Sequence, residues 1–261
     1  MNIRTVNATR YVTPLREGGS LPAIVEADDD GLYVLKFRGA GQGVKALIAE
    51  LVVGELARAL SLPVPEIVFV ELDPVLGRTE PDPEIQDLIK ASAGINLALD
   101  YLPGSITFDP LIQQPEAGLA SAIVWFDAYT TNVDRTLRNT NMLVWHRRLW
   151  LIDHGAALYF HHAWEGDYLA RSRKPFAQIK QHVLLPFADA LAEADERLGR
   201  LLTRELIESV VGLIPDDWLE GESRFTDAGA HRAAYVEYLL TRLEAPRAFV
   251  EEALSARSLY I

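Results

Sequence analysis

The sequence predicts an α+β fold with a small β-rich N-terminal lobe and a larger helical C-terminal lobe. Near the N-terminus, short runs rich in β-branched and aromatic residues are separated by Gly- and Asp-rich turns, which is typical of strands. Beyond Pro103 the apolar residues recur at helical spacing instead. We therefore predict a bilobal chain, with an N-lobe at residues 1–102 and a C-lobe at residues 103–261.

The N-lobe elements alternate between strands and helices. An Asp-rich turn that ends at Gly31 predicts a hairpin, and a helical period of apolar residues stops before Pro63. The residues from Pro74 to Pro83 are rich in Pro and Asp and predict an exposed connection. The predicted strands are Val6 to Val12, Ala23 to Glu26, Leu32 to Phe37, Glu66 to Leu72 and Asn96 to Leu102, and the predicted helices are Val44 to Leu60 and Ile85 to Ser92.

The C-lobe begins with a strongly apolar helix, followed by a loop and two short apolar strands. Three further helical patterns follow, and the last should be interrupted near Pro246 because proline breaks the helical hydrogen bonding. The predicted helices are Gly118 to Thr131, Ala188 to Leu202, Arg204 to Leu213 and Gly229 to Leu254, and the strands are Met142 to Trp145 and Leu149 to Ile152.

Composition excludes several classes of protein. The net charge of −12 argues against a nucleic-acid partner, because affinity for DNA or RNA depends on cations that neutralise phosphates. The chain has no Cys, which excludes a disulfide framework and a thiolate metal site. Its first residues lack the pattern of a signal peptide and no apolar run is long enough to span a membrane. We expect a soluble cytoplasmic protein without a membrane partner.

The segment from Asn132 to Gly155 carries the strongest functional signal. It contains Asp134, then Asn139 five residues later, two short strands and finally Asp153 before a His-Gly pair. In a kinase-type site the first Asp orients the acceptor hydroxyl and accepts its proton, while the Asn and the second Asp hold Mg²⁺ against the phosphates. Either Asp could instead cap a turn or end a strand. Asn141 is a second candidate for the metal, or a loop-bracing amide.

Lys36 is the candidate nucleotide lysine. It lies near the end of the predicted strand from Leu32 to Phe37, from which a Lys can reach the α- and β-phosphates. Glu50 lies 14 residues later on the predicted helix and could fix Lys36 by an ion pair, with Glu55 as the competing partner. Alternatively, Lys36 is an edge-strand lysine that discourages aggregation.

Gly18, Gly19 and Ser20 precede a predicted strand. Their backbone amides could lie over nucleotide phosphates, because Gly allows close approach, but a plain hairpin turn would use the same residues. The sequence contains neither a Walker-type phosphate loop nor a G-x-S-x-G elbow, and its histidines lack the spacing of a zinc site.

These motifs resemble those of the HipA-type kinases, with a more distant likeness to the phosphatidylinositol kinases. The resemblance runs from Gly18 to about residue 159 and implies an ATP- and Mg²⁺-dependent kinase. It implies that Asp134 is the catalytic Asp, that Lys36 contacts the nucleotide, and that Asn139 and Asp153 bind the metal.

The resemblance also implies an adenine-binding hinge at residues 97–102, which places Asp100, Tyr101 and Leu102 beside the adenine of ATP. Family members phosphorylate protein Ser or Thr side chains, and some are the toxin half of a toxin–antitoxin pair. Thr136 departs from the family, which commonly has His at that place, while Arg138 keeps a basic residue before the metal-binding Asn. The chain also begins almost at the Gly-rich turn, without the extra N-terminal subdomain of HipA toxins, so the toxin role is not carried over.

Three hypotheses about function remain open at this point. The first is a kinase that acts on a protein hydroxyl, the second is a small-molecule kinase of the same fold, and the third is a pseudokinase that only binds. The joint presence of Lys36, Asp134, Asn139 and Asp153 favours an enzyme over the third. The acceptor is either a protein or a small molecule.

Overall fold

The computed structural model of the chain describes residues 2–15, 21–41, 43–164 and 166–260. Gly18, Gly19 and Ser20, predicted to lie over the phosphates, are outside these residues. Within the described residues no helix is long and apolar enough to cross a membrane.

Five strands of the N-terminal part close into a barrel in the order β1-β2-β3-β5-β4. Most neighbouring strands are antiparallel, but β1 and β4 pair in parallel, with Val6 opposite Val70. Parallel neighbours need a long crossover connection, and this one contains β2, β3 and a helix. The strands are β1 (Thr5–Pro14), β2 (Ala23–Ala27), β3 (Leu32–Lys36), β4 (Ile67–Leu72) and β5 (Gly94–Asp100).

Two helices accompany the barrel. Helix α1 (Val44–Ala59) connects β3 to β4, and helix α2 (Pro83–Ala91) precedes β5. Pro83 is the first residue of α2, where its missing N–H costs no hydrogen bond, and the Asp82 side chain caps the helix by accepting from the backbone N–H of Glu84.

The C-terminal part consists of a three-stranded sheet and helices. The sheet has the order β6-β7-β8, and its hairpin pairs Leu143 with Trp150. Pro246 separates the last two helices. The elements are β6 (Ile106–Thr107), α3 (Ala117–Thr130), β7 (Met142–Trp145), β8 (Arg148–Leu151), α4 (Tyr168–Ser172), α5 (Leu191–Leu201), α6 (Arg204–Val211), α7 (Ala228–Leu243) and α8 (Ala248–Arg257).

Apolar side chains form two cores. The smaller one fills the barrel and includes Val25, Leu35 and Val68. The larger one combines α1 with the helices of the C-terminal part, so that Leu51 of α1 belongs to the same core as Ile207 of α6. Because nearly every residue in the middle of α1 is buried, this helix packs on both sides.

The α+β prediction and the order of a β-rich part before a helical part are confirmed. The predicted strands and long helices all occur, with ends that differ by a few residues, and the break at Pro246 is confirmed. The features that were not predicted include the closure of the barrel, the two-residue strand β6 and the five-residue helix α4. The connection after β4 also contains a 3₁₀ turn, Pro74–Thr79, which begins at an Asp73 side-chain cap.

Candidate active site

A cleft of about 1600 Å³ lies between the barrel and the three-stranded sheet. Both regions contribute predicted site residues to its lining, which includes Lys36, Asp100, Tyr101, Leu102, Asn139 and Asp153. Glu50 and Asp134 do not line the cleft, but each makes a hydrogen bond to a residue that does. The fold therefore brings together, at one cleft, residues separated by more than a hundred positions in sequence.

Lys36, the last residue of β3, contacts two carboxylates. Its Nζ lies 2.7 Å from Glu50 Oε2 and 2.5 Å from Asp153 Oδ1. Because β3 is paired with β2 on one side and β5 on the other, it is an interior strand, and the edge-lysine alternative is wrong. Glu55, the competing partner, is instead paired with Arg58 at 3.1 Å.

Electrostatics keep the Lys36–Glu50 pair ionised. Burial alone would lower the pKa of Lys36, but the negative charges of Glu50 and Asp153 outweigh burial and raise this pKa above its ordinary value. Burial would likewise raise the pKa of Glu50, yet the Lys36 charge and the His154 side chain hold it at about 2. The Lys36 side chain is only 13% exposed, whereas 43% of the Asp153 side chain is exposed, so the Asp153 carboxylate remains open to the cleft.

His154 directly follows Asp153 and packs against Glu50. Its backbone N–H donates to Glu50 Oε2 at 2.8 Å, and its imidazole is fully buried, with Nδ1 3.5 Å from Glu50 Oε1. The Glu50 carboxylate therefore ties Lys36 and the loop after Asp153 to α1.

Asp134 is held by two asparagines of the same loop. The Asn139 side-chain amide donates to Asp134 Oδ2 at 2.8 Å, and that of Asn141 donates to the same oxygen at 3.2 Å. The two asparagines differ in exposure: Asn139 is exposed, while Asn141 is buried and directly precedes β7. Thr136, the departure from the family pattern, closes the loop, because its N–H donates to the carbonyls of Asp134 and Asn139.

Asp127 of α3 organises the base of this loop, and sequence reasoning did not assign it a role. Its carboxylate is fully buried and accepts from Arg135 Nε at 2.6 Å, Asn132 Nδ2 at 3.1 Å and His182 Nε2 at 2.9 Å. Arg135 also donates to the backbone carbonyl of Asn141. The one signal in the sequence was a carboxylate inside an otherwise apolar helix, which must find partners when buried.

The charges in this cluster are matched. Burial would raise the pKa of Asp127, but the Arg135 charge and the hydrogen bond from His182 lower it well below its ordinary range. Burial lowers the pKa of His182 in spite of the Asp127 carboxylate. His182 Nδ1 accepts the backbone N–H of Leu184 at 3.0 Å, so the neutral ring donates from Nε2 to Asp127.

The predicted hinge, Asp100 to Leu102, lines the cleft at the end of β5. Asp100 N–H donates to the Glu66 carbonyl at 2.8 Å, and Tyr101 N–H donates to the Leu32 carbonyl at 2.9 Å. Burial raises the pKa of Asp100, and the charge of Glu66 adds to this shift. The backbone N–H groups of Asp100 and Tyr101 are therefore engaged within the barrel, whereas the amide of Leu102 has no partner among the described residues.

The donors of the site suit a hard cation that also contacts phosphate. No group of three or more His, Cys, Asp or Glu side chains among the described residues could hold a metal by itself. The partly exposed carboxylate of Asp153 lines the same cleft as Asn139 and Asn141. Mg²⁺ binds through one or two carboxylates and completes its shell with water and substrate phosphates, so this set fits Mg²⁺ only when a nucleotide is present.

Comparison with known families settles the relationship of the chain. A family model described as HipA-like kinase matches residues 9–252, nearly the whole sequence. The chain belongs to the HipA-like kinase family. Membership of this family supports a phosphotransferase. No functionally curated protein matches the sequence.

Solved structures of kinases resemble the fold of this HipA-like kinase. The Helicobacter pylori proinflammatory kinase CtkA matches with a TM-score of 0.54 and 11% identity, over 98% of this chain and 99% of CtkA. At this identity the likeness shows a common fold. The Golgi casein kinase matches with a TM-score of 0.47 and 12% identity, over 99% of this chain and 75% of that one. Its Mn/ADP-bound form matches with a TM-score of 0.45 and 11% identity, over 94% of this chain and 74% of that one. Both TM-scores are too low to support an argument.

Proposed function

We propose that this chain is an ATP- and Mg²⁺-dependent kinase that transfers the γ-phosphate to a serine or threonine hydroxyl of a protein. One observation carries the proposal: Lys36 Nζ contacts both Glu50 and Asp153. Lys36 and Asp153 line the same cleft as Asn139 and Asn141 of the Asp134 loop. Phosphoryl transfer needs little covalent chemistry from the protein, so positioned charges of this kind supply most of the catalysis.

The nucleotide would lie between the barrel and the sheet, in a bilobal arrangement like that of protein kinases. Lys36, already charged, orients the α- and β-phosphates, and Glu50 keeps its ammonium in place. At the hinge, the amide of Leu102 is the donor left for the adenine edge, next to Asp100 and Tyr101. The backbone amides of Gly18, Gly19 and Ser20 are proposed to contact the phosphates.

The metal would be held by Asp153, with the side-chain oxygen of Asn139 or of the more buried Asn141. Mg²⁺, when bound with the nucleotide, supplies positive charge that neutralises the phosphate oxygens. Asp153 keeps one carboxylate oxygen on Lys36 and can present the other to the cleft. Arg138, exposed at the cleft and without an ion pair among the described residues, adds a cation near the transferred phosphate.

Asp134 would orient the acceptor hydroxyl and accept its proton late in the reaction. Its Oδ2 is fixed by two amide donors, so the carboxylate cannot rotate freely, and a fixed base holds the hydroxyl in line with the phosphate. Because Asp134 has no required contact with ATP, binding and chemistry should separate at this residue.

Two variants and a matched control test the proposal. We expect Asp134→Asn to bind Mg-ATP normally and to lose at least about 10²-fold in turnover, the usual effect of losing a general base. Asp153→Asn should weaken Mg-ATP binding with an unchanged melting curve, and chelation by EDTA should do the same to the wild type. Asp87→Asn, which alters an exposed side chain of α2, should change neither Mg-ATP binding nor turnover.

Titration calorimetry measures the binding, and transfer of label from radioactive ATP to lysate protein and to metabolite pools measures the chemistry and the acceptor. Undiminished phosphotransfer by Asp134→Asn would refute the mechanism. Label that enters only metabolites would replace the protein acceptor with a small molecule, and Mg-ATP binding without any transfer would indicate a pseudokinase.

A further inference from the structure

The connection between α6 and α7 reaches the N-terminal part of the chain through a buried indole. We call residues 216–222 of this connection the anchor segment. Trp218 is 1% exposed, its indole N–H donates to the Ile95 carbonyl of β5 at 3.3 Å, and its ring packs edge-on against Phe69 of β4 with centroids 5.8 Å apart. A buried indole whose N–H is bonded is fixed in both position and orientation.

The anchor segment forms one ion pair on each side of Trp218 in the sequence. Asp217 Oδ2 lies 2.9 Å from Arg38 Nη1, and Glu222 Oε2 lies 3.2 Å from Lys45 Nζ. The Lys45–Glu222 pair is partly buried, which reduces screening by salt, whereas Asp217 is exposed, so its pair with Arg38 is screened more strongly.

These contacts hold both ends of the connection from β3 to α1. Arg38 lies two residues after Lys36, and Lys45 lies five residues before Glu50. The backbone N–H of Arg38 also donates to Asn96 Oδ1 at 2.8 Å, which fixes this end to β5. The anchor segment therefore contacts the chain close to each member of the Lys36–Glu50 pair.

Helix α1 needs such an outside contact at its N-terminus. Its N-cap is Gly43, which provides no side-chain cap, and its first turn has no acidic residue. Lys45 instead puts a positive charge at the positive end of the helix dipole, which is unfavourable. The Glu222 carboxylate supplies the negative charge that the helix itself lacks.

We propose that the anchor segment is a positioning element of the kinase reaction, which holds α1 where Glu50 meets Lys36 so that the pair forms without an activating partner or modification. This inference rests on the proposed function, because it assigns Trp218, Asp217 and Glu222 a role in placing Lys36 for the nucleotide. None of the three is among the residues that line the cleft.

Isosteric variants test the two ion pairs with little risk to folding. Asp217→Asn and Glu222→Gln should each speed amide hydrogen exchange in residues 44–59 and lower kcat/KM for ATP by about threefold, the effect of losing a surface ion pair, and the double variant should lower it by about tenfold. The reversed pair Lys45→Glu with Glu222→Lys should restore both. Trp218→Phe, which removes only the indole N–H and part of the ring, should act in the same direction.

Glu196→Gln is the matched control, because Glu196 forms an exposed ion pair with Arg200 on α5. It should alter neither the exchange of α1 nor kcat/KM. Variants that lower the melting temperature but leave α1 exchange and kcat/KM unchanged would show that the anchor segment is merely structural and would overturn the proposal. If the wild type transfers no phosphate, the proposed function fails, while faster exchange in the variants still establishes that the segment holds α1.

Discussion

Replacement of Asp127 by Asn should destabilise the protein far more than an ordinary polar substitution. The change keeps the volume of the side chain but removes its charge and turns one acceptor oxygen into a donor. Asp127 accepts three hydrogen bonds, from Asn132, Arg135 and His182, and neither Arg135 nor Asp127 is exposed to solvent. The new amide therefore faces donors, and a buried guanidinium loses its counter-charge.

The size of the effect follows from this burial. Removing one partner of a buried ion pair costs about 3–5 kcal/mol, because the other charge stays buried without compensation. For a chain of this length such a loss corresponds to a fall in melting temperature of about 10 °C. Because Arg135 also holds the Asn141 carbonyl, turnover should fall as well, through displacement of the Asp134 loop.

Urea unfolding followed by tryptophan fluorescence measures the free energy of unfolding of Asp127→Asn against the wild type. Glu208→Gln is the control: its half-exposed pair with Arg204 should contribute no more than about 0.5 kcal/mol. A loss of less than about 1 kcal/mol in Asp127→Asn would show that the cluster does not carry the ionic stabilisation inferred here.

Three further predictions concern other groups. His161 is buried, and burial lowers its pKa well below 6.5, so below that pH the unfolded chain binds a proton that the folded chain does not bind. The free energy of unfolding should therefore fall as pH drops below about 6.5, by up to ~1.4 kcal/mol per pH unit. His161→Phe should reduce this pH dependence, as measured by melting curves at several pH values. Arg242→Lys should lower the free energy of unfolding by at least about 2 kcal/mol in urea titrations, because the lysine cannot serve the backbone carbonyls that the buried guanidinium joins. Asn141→Ala should weaken activation by Mg²⁺ about tenfold and more than Asn139→Ala, measured as the Mg²⁺ dependence of turnover, since Asn141 is the more buried partner of Asp134; equal effects would contradict this order.

Local patterns in the sequence were sufficient to single out most residues of the candidate site. Lys36, Glu50, Asp134 and Asp153 were found from strand and helix periodicity and from motif spacing, because those signals depend on residues that are near one another in the chain. The structure adds the contact of Lys36 with Asp153, which joins residues 117 positions apart.

Features that depend on distant pairing were beyond this reasoning. Asp127 acquires its importance only when Arg135 and His182 converge on it, and His182 lies 55 residues away with no recognisable motif. Likewise, nothing in the sequence distinguishes Trp218 from an ordinary core residue, because its partners Ile95 and Phe69 lie far away in the chain. Strand β6 is too short to leave a periodic signal, since two residues cannot define an alternation.

The parallel pairing of β1 with β4 has a consequence for how the chain folds and stays dispersed. Each of the five strands has a neighbour on both sides, and the pairing of residues 5–7 with β4 covers the edge that this part of β1 would otherwise present to another polypeptide. This pairing forms late, because β4, residues 67–72, is synthesised well after β1. Until then β1 is an open edge, and pairings between such distant segments form slowly. We therefore expect self-association during synthesis or refolding to begin at β1 and to decrease once β4 has paired with residues 5–7.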